Sequence, residues 1–240
     1  MSNLIADAPM TQTSTSTIAP ELLDPTRDPQ VPVSPVELAA FLAARMCHDY
    51  ISPAGAIMSG LDLLEDPGAQ DMREEAMTLI AASARKLVDL LSFDRVALGA
   101  SAAAETFGAD QLETLAKGVS THGRAQLVWN VTPRTLPKPA ARALLNLVQI
   151  GLGALPTGGI ATLTAVEEGG GLVLAIDCVG ARARLRPAVI DGLEGRRLEE
   201  GLAGLWVQAY YLHQLVTAAG GTLEHAVFEE RVMLTVNLPA

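Results

Sequence analysis

The chain has 240 residues, 49% of them apolar, and a formal charge of −10. That length and apolar content can bury one large core or two modest ones, which excludes a disordered polyelectrolyte. The acidic balance argues against a nucleic-acid surface, which needs clustered Lys and Arg, and every apolar run is broken well short of the ~20 residues that span a membrane.

Residues 1–33 are rich in Thr, Ser, Pro and Ala without a sustained period and read as a flexible leader. They carry no basic-then-apolar signal pattern, and Cys47 and Cys178 stand far apart without metal-like spacing, so a reducing, cytoplasmic setting is expected and neither thiol is assigned chemistry. Ser34-Pro35-Val36-Glu37 is a helix start: Ser34 caps free amides, Pro35 suits the first helical position, and Glu37 closes a capping box. The helix is predicted from Pro35 to about Glu65. Pro53 lies inside it and predicts a bend near Cys47 to Asp49, because proline removes a backbone hydrogen bond and crowds the carbonyl four residues back.

On a helical wheel Met46, Cys47, Tyr50, Ala54, Ile57, Met58, Leu61 and Leu64 share one sector, expected to be buried. His48 lies about 150° from the middle of that sector, with Arg45, Ser52, Gly55, Ser59 and Asp62. It should therefore face outward among small neighbours that let another protein approach. A near-neutral pKa suits imidazole to transfer chemistry, although surface histidines are also common.

Asp66-Pro67-Gly68 is a turn signal, and a second helical pattern runs from Asp71 to about Leu98. The hairpin of residues 34–99 cannot enclose its own apolar stripe. Either the C-terminal half covers it or a second copy does, and the expected arrangement is a homodimeric four-helix bundle. Beyond the small-residue connection at 99–104, helices are predicted near Ala109–Val119, Pro139–Leu152 and Gly201–Ala218. Strands are predicted near Ala125–Val131, Ile160–Val166, Leu172–Cys178, Thr222–Phe228 and Arg231–Asn237. The expected class is α+β, a helical hairpin followed by an α/β sandwich over residues 105–240. His122, His213 and His225 have no carboxylate or serine at triad or metal spacing and read as structural; Trp129 and Trp206 read as core.

His48-Asp49-x-x-Ser52-Pro53 resembles the H-box of histidine kinases. The longer run from Met46 to Ile57, continued by Gly60-Leu61-Asp62-Leu63-Leu64-Glu65-Asp66, is similar to the ChpT-type histidine phosphotransferases of alphaproteobacteria. The element order after the hairpin resembles the ATP-binding domain of histidine kinases. Those kinases use an Asn-bearing helix, an Asp-x-Gly-x-Gly strand end and a glycine-rich loop. Here Asn146 stands at the first Asn position, but Ile150 replaces the second. Asp177 and Gly180 are kept, while Ala181 and Arg182 follow. The stretch Glu199 to Leu205 brings Glu199 and Glu200 but no cation where triphosphate charge would sit. A kinase-like domain without ATP activity is therefore expected. The Arg182, Arg184, Arg186 run reads as a solvated loop, with an anion or partner contact as the functional alternative.

The resemblance implies a cytoplasmic homodimeric phosphotransferase that relays phosphoryl groups between receiver domains. Its donor would be a CckA-like hybrid kinase and its acceptors response regulators of the CtrA and CpdR kind, with no nucleic acid or membrane partner. His48 is the expected phosphoryl acceptor. Asp49 is expected to hold its tautomer, Ser52 to orient the ring or phosphoryl oxygens, and Arg45 to ease charge. Gly55, Ser59 and Asp62 complete the face offered to the partner. No cofactor or metal of the chain's own is expected, Mg²⁺ coming with the receiver's acidic cluster. The alternatives are an ATP-dependent kinase that autophosphorylates His48 and a non-catalytic receiver-binding scaffold.

Overall fold

The structure, a computed structural model, describes residues 32–99, 104–198 and 203–239. Most of the proposed leader and the Glu199 to Leu202 part of the glycine-bearing loop lie outside the described residues. Helix α1 spans Pro35–Glu65 and begins at the capping box read from the sequence. Ser34 Oγ accepts from the Glu37 amide at 3.2 Å, and Glu37 Oε2 accepts from the Ser34 amide at 3.0 Å. The helical assignment runs unbroken through Pro53. A 3₁₀ segment, Pro67–Met72, turns the chain into α2, Arg73–Ala97. The two helices approach closely at Gly60, where a Cβ would stand 2.6 Å from Ile80 Cγ1.

The stripe expected to be buried on α1 needs correction. Cys47 is exposed, as are Met58 at 57% and Leu61 at 39%, whereas Pro53 and Gly60 are buried. The reason is that α1 is covered from two sides at different heights. Its middle and C-terminal turns lie on α2, while its N-terminal turns meet the second domain, where Phe41 packs edge-on against Trp206 at 5.4 Å and Trp206 stacks on Tyr210 at 4.8 Å. Aromatic contacts of this kind are worth about 0.5–1.5 kcal/mol beyond the area they bury. Trp206 is fully buried and donates to Arg196 O at 2.8 Å, so its reading as a core residue holds.

The second domain begins with β1 (Thr106–Gly108), α3 (Ala109–Ser120), β2 (Ala125–Val131), β3 (Thr135–Pro137) and α4 (Lys138–Gly153). It continues with β4 (Gly159–Glu168), β5 (Gly171–Val179), α5 (Pro187–Leu193), α6 (Ala203–Ala218), β6 (Thr222–Phe228) and β7 (Arg231–Leu238). Five strands form a sheet in the order β2-β4-β5-β7-β6, in which β2 and β4 are parallel and the other neighbours antiparallel. The strands bury alternate residues: Leu163, Leu174, Ile176, Leu234 and Val236 are fully enclosed on the face covered by helices. Helix α4 is buried almost all round and lies directly on β5, because a Cβ on Gly151 would come within 2.5 Å of Ile176 Cδ1.

The hairpin followed by an α/β sandwich is thus the architecture expected. What the sequence missed is short: β1 and β3, three residues each and paired with one another, and the seven-residue α5. None is long enough to carry a period. The second domain also takes the end of the hairpin into its own core, through Phe93, Val96 and Ala97. Ile51, Met58, Met77, Val88 and Leu91 stay exposed on the hairpin.

Candidate functional site

His48 stands on α1 with 85% of its side chain exposed. Its Nδ1 lies 3.1 Å from Oδ1 of Asp49. The other oxygen of Asp49 accepts from Arg45 Nε at 2.5 Å, one turn back on the same helix, and Arg45 Nη1 donates to the Gly204 carbonyl at the start of α6. This chain of contacts ties the imidazole to the second domain. A carboxylate facing Nδ1 favours the tautomer with its proton there, which leaves the Nε2 lone pair directed outward.

Directly beneath, the Tyr50 hydroxyl donates to Asp94 Oδ2 at 2.7 Å and joins α1 to α2. Asp94 is buried, and burial raises its carboxyl above the usual range, with the negative charge of Asp49 adding and the Tyr50 hydrogen bond and Arg45 opposing. Burial also raises the Tyr50 phenol, helped by Asp94.

Beside His48 opens a groove of about 400 Å³. Arg45, His48, Asp49 and Ser52 line one wall, Lys86, Leu90 and Phe93 of α2 another, and His122 and Gly123 after α3 the third. Four of the residues singled out in the sequence are therefore brought together. Gly55, Ser59 and Asp62 lie further along α1, exposed and outside the groove's lining. His122 was read as structural for want of a carboxylate at a useful spacing; the fold supplies one, with Asp89 Oδ2 2.8 Å from its Nε2. Lys86, Asp89 and His122 carried no motif, and only the packing of the α3 end against α2 puts them beside His48.

The kinase-like positions of the second domain are arranged differently. Asn146 is fully buried, donating to Ala97 O at 3.0 Å and Arg142 O at 2.7 Å, while Gln208 Nε2 donates to its Oδ1. Its polar atoms are thus engaged in joining the hairpin end, α4 and α6. Asp177 pairs with Arg231 of β7 through contacts of 2.8 and 3.0 Å, on the sheet face opposite to the buried Ile176 and Cys178. Cys178 is buried against Gly151 O, and burial pushes its thiol up to about 12. Arg182, Arg184 and Arg186 are exposed, the latter two at the rim of a cavity of about 80 Å³ with Gln149 and Gln208. Among the described residues there is no group of three or more His, Cys, Asp or Glu placed to hold a metal ion, and no helix long and apolar enough to cross a membrane.

Residues 109–231 match the family model described as the histidine phosphotransferase C-terminal domain. The protein phosphotransferase ChpT of Brucella abortus is 34% identical over 204 residues, spanning 84% of this chain and 96% of that protein. A solved structure described as a bacterial phosphotransferase superposes with a TM-score of 0.77 at 32% identity, covering 87% of this chain and all of the other.

Proposed function

Because this chain belongs to the histidine phosphotransferase family that includes ChpT, we propose that it relays a phosphoryl group between receiver-domain aspartates through a phosphohistidine at His48. The observation that carries this reading is the exposed imidazole with Nδ1 facing Asp49 and Nε2 without a partner among the described residues. In the forward step the Nε2 lone pair attacks the phosphorus of an aspartyl phosphate. The N–P bond forms, the P–O bond to the aspartate breaks, and the electron pair leaves with the carboxylate. The ring becomes cationic while keeping its proton on Nδ1, where Asp49 stabilises it. The reverse step on a second receiver returns the ring to neutrality. Ser52, one turn along and lining the same groove, orients the incoming phosphoryl oxygens in this reading. Mg²⁺ would come with the receiver.

In this reading the second domain is a scaffold that does not use ATP. In support, Asn146 has its amide engaged by protein groups, and Asp177 is paired with Arg231 on the far side of the sheet from α4. The donor and acceptors are taken to be receivers of a CckA-like hybrid kinase and of CtrA- and CpdR-like regulators. The working unit is taken to be a cytoplasmic homodimer in which a second hairpin covers Ile51, Met58, Met77, Val88 and Leu91.

The test offers the protein radiolabelled ATP in one tube and a labelled phosphorylated receiver in another, with His48→Ala alongside. Label taken only from the receiver, and only when His48 is present, is the expected result. Label taken from ATP alone would make the protein a kinase, and label from neither would leave a scaffold that only binds receivers.

A further inference from the structure

Phosphoryl transfer needs positive charge around the moving group, because three equatorial oxygens carry it through the transition state with little covalent help. Two cationic side chains line the groove beside His48, and they are not equally available. Arg45 has its Nε on Asp49 and its Nη1 on the Gly204 carbonyl, so its charge is largely neutralised and its position set by packing. Lys86 lines the same groove, half-buried on α2, and has no hydrogen-bond or ion-pair partner among the described residues.

Its freedom has a structural cause. Asp89 is three residues on along the same helix, at a spacing where Lys–Asp pairs form. That carboxylate is taken instead by His122, which the turn after α3 brings to 2.8 Å. Gly118 packs against the same carboxylate, since a Cβ there would stand 3.3 Å from Asp89 Cγ. The second domain thus holds in place a carboxylate that stands where it could pair with Lys86.

Resting on the relay reading above, we infer that Lys86 is a catalytic residue, its ammonium contacting the phosphoryl oxygens during transfer at His48, and that His122 is a positioning residue which keeps Asp89 from pairing with it. Lys86 forms and breaks no covalent bond in this scheme and neither gives nor takes a proton.

The experiment separates chemistry from docking by using two donors on the full chain: a labelled phosphorylated receiver, and phosphoramidate, which is too small to need a docking surface. Lys86→Met is expected to slow phosphorylation of His48 by about tenfold or more with both donors, with Lys86→Arg recovering most of the rate. His122→Ala should show a smaller loss with both donors, restored when Asp89→Asn is added, a rescue that a merely structural role would not produce. Circular dichroism and melting curves check that each variant is folded. Loss with the receiver alone, at an unchanged phosphoramidate rate, would make Lys86 a docking contact and overturn the assignment, as would an unchanged rate with both. If the parent protein itself takes no phosphoryl group from either donor, the relay reading fails and this assignment with it.

Discussion

His48 and Asn146 are both polar residues that the sequence singles out, and the fold treats them in opposite ways. The histidine stands on an exposed helix face, and its one close side-chain partner among the described residues, Asp49, faces Nδ1. The asparagine lies at the junction of the hairpin, α4 and α6, with its amide joined to Ala97, Arg142 and Gln208. In the proposed relay, a group that meets another protein is kept out of the packing. A buried amide is taken into the packing instead, because it must find hydrogen-bond partners there.

The contrast can be broken most directly at its two centres. His48→Ala should reduce phosphoryl acceptance by roughly a thousandfold or more, while the melting temperature stays within about a degree of the parent, since an exposed side chain contributes little to the core. A large loss of stability in that variant would show that His48 is part of the packing after all. Asn146→Ala should do the reverse. It strands the Ala97 carbonyl and the Gln208 amide in a dry junction and is expected to cost about 2–3 kcal/mol in urea denaturation, leaving the transfer rate of the folded fraction near that of the parent.

The exposed apolar side of the hairpin sharpens the comparison between an open face and a closed one. Ile51 and Met58 are seven residues apart and share that side of α1. Met58→Glu is expected to raise the dimer dissociation constant roughly tenfold or more, read by light scattering on a dilution series. A parent protein that is monomeric at micromolar concentration would remove the dimer from the proposal.

The smallest expected effect is at the helix start. Hydrogen bonding to the Ser34 amide, then to Arg197 and to the Ser34 hydroxyl, lowers the Glu37 carboxyl from 4.5 to about 2. Its ionised form therefore stabilises the fold fully above pH 4.5, and the contribution is lost as pH falls through about 2. Glu37→Gln should cost about 1 kcal/mol near neutral pH and much less at the acid end, so that the urea midpoints of the two proteins converge on acidification. Parallel curves would place the stabilisation elsewhere.

Much of this protein is determined by its sequence alone. The capping box at Ser34, the helical period up to Glu65, and the alternation in β2, β4, β5, β6 and β7 are local patterns in which each residue's preference agrees with its neighbours', so the elements follow closely. The outward histidine was legible for the same reason, being a wheel position relative to apolar neighbours. Which of those neighbours are enclosed was not legible, because α1 is covered by α2 and α6 at different heights and a wheel has no knowledge of either. The groove wall supplied by Lys86 and His122, the capture of Asp89 across 33 residues, and the engagement of Asn146 by Gln208 across 62 were decided only when the second domain packed on the hairpin. Such contacts join segments whose separation leaves no period in the chain, and only the tertiary fold brings them within reach.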